Sequence, residues 1–131
     1  MSYSLDIENK GEYLHAVVRG EKTLANVLSY FEEIYGACLL YHCSKVLIEE
    51  RLDGPALDTF DIFVIVTKNY TKAKSIDLRL AFVDVHVDRD IQGLKFGENL
   101  AHIRGVNVKL FQQYNIDEMV AWLLLKDAKP L

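Results

Sequence analysis

Cysteine and proline are scarce, with two of each in 131 residues. Two thiols cannot build a disulfide framework, which excludes the small cross-linked secreted scaffolds. Two prolines and seven glycines exclude a collagen-like repeat and a linker-dominated chain. Apolar runs such as Ile62-Phe63-Val64-Ile65-Val66 fall far short of the roughly 20 residues that a membrane-crossing helix needs. The opening stretch, MSYSLDIENKGEY, has no basic segment leading into an apolar one, so no secretory leader is expected. Positive charge is not in excess either. Fifteen Lys and Arg stand against nineteen Asp and Glu, a net −4, which excludes a strongly basic binder of nucleic acid. Nucleotide-cradling and hydrolase signatures are missing: there is no GxGxxG after a strand, no GxxxxGKS or GxxxxGKT, no GxSxG and no HExxH.

What remains is half apolar (50%) with 11% aromatic residues, enough for one packed core and a single domain over residues 1–131. Turn chemistry and periodicity predict the elements. Residues 3–8 and 13–19 read as strands, and Asn9-Lys10-Gly11 between them makes an antiparallel hairpin. Thr23 is a good N-cap for an amphipathic helix running to about His42, because Leu24, Val27, Leu28, Phe31, Ile34, Tyr35, Cys38 and Leu39 recur at helical spacing. Lys45–Ile48 reads as a short buried strand. Asp53-Gly54-Pro55 then breaks the chain, and Asp58 caps a helix through about Tyr70. The centre of that helix, FDIFVIV, is rich in residues that favour strands. Leu78–Val85 is a strand, 90–103 a helix stopped by Arg104-Gly105, Val106–Phe111 a strand, and Asn115 caps a last helix with Met119, Trp122 and Leu123 inward. The order ββαβαβαβα predicts an α/β fold: a mixed, mostly parallel sheet of four or five strands flanked by helices, with the first strand as its antiparallel edge.

Candidate chemistry is sparse. Cys38, His42 and Cys43 form C-x3-H-C, but Cys38 continues the apolar stripe and no second ligand pair follows, so we read core packing rather than metal. Asp84, His86 and Asp88 would share one face of an extended segment, the best metal guess in the chain but more simply a solvated strand end. Lys68, Lys72, Lys74 and Arg79, with Tyr70 among them, suit a helix C-terminus. No cofactor and no catalytic group are expected. The charge is uneven, net −6 over residues 1–66 and +2 over 67–131. Glu49, Glu50, Asp53, Asp58 and Asp61 crowd the expected loop EERLDGPALDTFD after the third strand. In a parallel sheet this is where sites form, and the crowding predicts a partner-facing acidic rim.

The junction KVLIEERLDGPALDTFDIF and the tail ENLAHIRGVNVKLFQQYNIDEMVAWLL, with the element order, resemble the SpoIIAA-like branch of the STAS domains, sometimes called STAS/SEC14-like. The resemblance implies a cytoplasmic, bacterial, non-enzymatic regulatory module. Its partner would be another protein, such as a regulatory kinase or an anti-sigma-like factor, and a dimer is compatible with it. Relatives of this kind are phosphorylated on Ser or Thr at the start of the second helix, in a motif close to Asp-Ser-Ser/Thr-Gly-Leu. Here the matching residues are Asp58-Thr59-Phe60-Asp61-Ile62. Asp58 keeps the Asp, Thr59 takes the first hydroxyl position, Phe60 takes the usual phosphorylated position and Asp61 replaces the Gly. The interaction or switch candidates are therefore Asp53, Asp58, Thr59 and Asp61. The alternative is a small apolar-ligand or lipid-binding domain, suggested by the apolar helix around Phe60, Ile62, Phe63 and Ile65.

Overall fold

Alternating strands and helices in the sequence produce a five-stranded sheet in the order β1-β2-β3-β4-β5. A computed structural model describes residues 2–86, 89 and 91–126. The elements are β1 (Tyr3–Asn9), β2 (Leu14–Glu21), α1 (Leu24–Tyr41), β3 (Lys45–Asp53), α2 (Thr59–Ser75), β4 (Arg79–Asp84), α3 (Ile91–Ile103), β5 (Asn107–Phe111) and α4 (Ile116–Leu123). β1 pairs antiparallel with β2, and every other neighbouring pair is parallel. The hairpin turns through Gly11 at φ +92, with Asn9 Oδ1 accepting the Gly11 N–H at 2.9 Å. In β2, Gly20 sits at φ +133, and a Cβ there would lie 2.8 Å from Tyr3 Cα, so only glycine lets the edge strand close against β2.

The predicted caps are used. Thr23 Oγ1 accepts the Asn26 N–H at 3.1 Å, Asp58 Oδ1 the Asp61 N–H at 2.8 Å, and Asn115 Oδ1 the Glu118 N–H at 3.2 Å. α1 ends at His42 in the left-handed conformation, and Gly105 at φ +84 follows α3. α2 is helical despite its β-branched centre and runs to Ser75, past the expected Tyr70. A cap at one end and an apolar stripe along one face outweigh the local strand preference.

β3 differs most from expectation. It extends to Asp53 rather than stopping at Ile48, so Glu49, Glu50, Arg51 and Leu52 are strand residues and not loop residues. The reason lies in the pleat. Val46, Ile48, Glu50 and Leu52 alternate onto the face covered by α1, α2 and α3, while Leu47 and Glu49 point to the face covered by α4. The larger core lies on the three-helix face and includes Leu14, Ala16, Val18, Tyr30, Ile34, Val46, Ile48 and Leu80. The smaller core joins Leu47, Ala81, Val83 and Phe111 to Met119 and Leu123 of α4. Cys38 is buried in the larger core and Cys43 is half-buried nearby, both as free thiols. Burial pushes the Cys38 thiol up to about 11. The sheet ends on β5, where Glu98 of α3 accepts the Leu110 N–H at 2.6 Å.

The basic group near the end of α2 does not hold together. Arg79 is buried on the other face, over the Trp122 ring, and donates to the Leu125 carbonyl at 2.6 Å. Lys72 pairs with Glu32 at 2.9 Å.

Candidate functional site

The carboxyl ends of β3 and β4 and the start of α2 converge at one end of the sheet. Asp53 is the last residue of β3. Its carbonyl accepts the Lys22 N–H at 2.8 Å, and its carboxylate lies 3.1 Å from His86 Nε2. Gly54 turns the chain at φ +110, and its carbonyl accepts Arg89 Nη1 at 2.6 Å. Asp58 caps α2. Thr59 opens the helix with an exposed side chain, and Asp61 sits half-buried in the first turn. Phe60 is 70% exposed and Phe63, one turn on, is 39% exposed. Thus Asp53, Asp58, Thr59 and Asp61 are gathered within one loop and helix start.

Beneath this surface lies a buried ionic network. Glu50 and Asp84 occupy paired positions on adjacent parallel strands and are 1% and 2% exposed. Two neighbouring carboxylates repel unless cations separate them. Lys22, just past the end of β2, supplies the first cation, at 2.6 Å from Glu50 and 3.3 Å from Asp84. Arg89 supplies the second, with Nη2 3.1 Å from both Asp84 oxygens. Tyr30 of α1 donates its hydroxyl to Glu50 Oε2 at 2.5 Å. Burial, with Glu50 beside it, holds the Tyr30 hydroxyl well above its ordinary pKa, so it stays a donor.

Glu49 belongs to a separate cluster on the α4 face. His15 lies 3.1 Å from it, and Arg51 also bonds it. Burial acts to raise its carboxyl pKa, but hydrogen bonds from Arg51, Tyr114 and His15 outweigh that and hold it below the usual range.

The expected five-acid rim is therefore corrected. Glu49 and Glu50 are buried on opposite faces of β3 and neutralised there, and only Asp53, Asp58 and Asp61 remain toward solvent. The Asp84, His86, Asp88 grouping does not assemble among the described residues. Asp84 is engaged by Lys22 and Arg89 and by the His86 backbone N–H, the His86 ring turns to Asp53, and Asp88 lies outside the described residues. No group of three metal-ligating side chains occurs among the described residues. No described helix is long and apolar enough to cross a membrane. Sequence reasoning missed Lys22, Tyr30 and Arg89. The available signal was Leu52, which keeps the alternation of Val46 and Ile48 running through Glu50 and so marks that glutamate as inward-facing.

No family model matches the sequence, and no curated protein matches it. The fold does have a solved counterpart in Moorella thermoacetica RsbS carrying a serine-to-glutamate substitution. RsbS is a STAS-domain anti-sigma factor antagonist. The two chains are 19% identical, superpose with a TM-score of 0.55, and match over 92% of this chain and 98% of that one. The chain has a STAS/SpoIIAA-like fold.

Proposed function

We propose that this chain is a non-enzymatic STAS-like regulatory module that binds another protein through the start of α2. The carrying observation is the pair Phe60 and Phe63, exposed one helical turn apart beside Asp58, Thr59 and Asp61. A large aromatic side chain held in water by a rigid helix is what a partner pocket buries as an anchor. The carboxylates around it favour a partner with a basic rim, in the manner of a regulatory kinase or an anti-sigma-like factor. Two free thiols suit a reduced cytoplasm, which we take to be bacterial.

Within this reading Thr59 is the switch hydroxyl. A phosphate on it would sit at the positive end of α2 but beside Asp58 and Asp61, so modification adds like charge at the helix start and changes the match to a basic partner rim. The test is capture of candidate kinases and anti-sigma-like factors encoded near the gene, followed by titration of variants. We expect Phe60→Ala to weaken the captured complex by at least about tenfold, as for an interface anchor, and Thr59→Asp to shift affinity where Thr59→Ala does not. Equal binding by wild type, Phe60→Ala and Phe60→Asp would overturn the surface.

A further inference from the structure

A cavity of about 160 Å³ lies between the sheet and the helices α1, α2 and α3. β4 and β5 supply Leu80, Phe82 and Val108 to it, and α2 supplies Ile62, Ile65 and Val66. These side chains belong to the interior by position. Yet Phe82, Val108, Ile62, Ile65 and Val66 are only half-buried, because the surface they expose faces the cavity and its opening. Small residues keep the space clear, with Ala73 on α2 and Ala101 on α3 both on its wall. Gly97 fixes the spacing between the two helices, since a Cβ there would lie 3.0 Å from Ile62 Cγ2. The cavity is close in size to engineered apolar cavities of about 150 Å³, which stay dry and take up benzene.

One end is polar. Lys22, Tyr30, Glu50 and Asp84 line it. With Arg89 behind them, the charges of this network balance, two cations against two carboxylates, while Glu98, also on the cavity wall, is engaged by the Leu110 N–H. A ligand carrying net charge would unbalance the network in a low-dielectric setting and be rejected. Lys22 has three N–H donors, of which Glu50 and Asp84 take two. The third suits a neutral oxygen acceptor.

We infer that this cavity is a binding site for an uncharged, compact apolar molecule, a single aromatic ring or a chain of similar bulk, ending in one carbonyl or hydroxyl oxygen. The inference is independent of the partner surface, because none of its observations involves Phe60, Asp58 or Thr59.

The test uses acetophenone as probe, with benzoate and benzylamine as charged counterparts of the same ring. The readouts are methyl NMR shifts and thermal unfolding of the full chain. Acetophenone should move the methyl signals of Ile62, Ile65 and Val66 while leaving Leu47 and Val83 of the opposite face in place. At ten times its Kd it should raise Tm by roughly 4–7 °C. Benzoate and benzylamine should bind at least about tenfold more weakly. Ala101→Leu, which fills the space, should abolish the methyl shifts without lowering the unliganded Tm. If that variant fails to fold, Ala73→Leu fills the cavity from α2 and is read in the same way. Absence of methyl shifts at millimolar acetophenone, unchanged binding by a filled variant that folds, or equal binding of all three probes overturns the inference.

Discussion

The two faces of the sheet are built from neighbouring residues of the same strands and packed in opposite ways. On β4, Ala81 and Val83 are fully buried against Met119 and Leu123 of α4, while Phe82 between them stays half-buried under three helices. Over β4 one short helix closes its face, while the three longer helices leave a gap above Phe82. Helix count therefore says little about packing; what matters is whether side chains fill the gap between layers. Ala73, Gly97 and Ala101 put small side chains where the three-helix face has most room to fill. On this face Leu14, Tyr30, Ile34, Val46 and Ile48 pack fully, and the ionic network around Glu50 and Asp84 borders the unfilled part.

The largest effect should come from breaking that end. Asp84→Ala removes the shared partner of Lys22 and Arg89, leaving Lys22 with Glu50 alone and Arg89 without its carboxylate. It should cost roughly 3–5 kcal/mol of stability in urea unfolding. The faces themselves can be compared with matched truncations. Leu123→Ala in the closed core should cost about 2–5 kcal/mol, whereas Ile65→Ala on the cavity wall should cost about 1 kcal/mol, because part of its surface is already out of contact. Equal costs would mean that both faces are equally packed. Smaller again, Asp58→Ala removes the α2 cap and should cost about 1 kcal/mol, while Asp53→Asn at the exposed end of β3 should stay within about 0.5 kcal/mol.

The smallest effect is a pH dependence on the closed face. Glu49 has its carboxyl held below the ordinary 4.5 in the folded chain by Arg51, Tyr114 and His15 acting against burial. A depressed folded value stabilises above the unfolded one and is lost as pH falls through it. Wild type should therefore lose stability relative to Glu49→Gln as pH drops below about 4.5, and the gap between their urea midpoints should be constant above that. A gap that widens toward acid would reverse the assignment.

Much of the fold was legible because its signals are local. Caps at Thr23, Asp58 and Asn115, the Gly11 turn and the stop at Gly105 each act within a few residues, and the element order and edge strand follow from them. The β-branched run in α2 was readable as helix only through its cap and its place between strands. β3 was cut short because Glu49-Glu50-Arg51 looks like solvent-facing sequence. Its partners Lys22, Tyr30 and Asp84 lie 20 to 34 positions away, and no local pattern announces them. The surface residues Asp53, Asp58, Thr59 and Asp61 were legible as a group because they are close in sequence. The cavity was not, since it depends on small side chains from separate helices meeting over one strand.

The Glu98 carboxylate on the Leu110 amide has a consequence for assembly. β5 is a five-residue outer strand, and the outer edge of such a strand can template a sixth strand from another molecule. Glu98 covers the Leu110 amide and His102 of α3 contacts the Val108 carbonyl, so an incoming backbone would have to displace both. Sheet extension between copies on this side would therefore have to break contacts that the chain's own α3 makes.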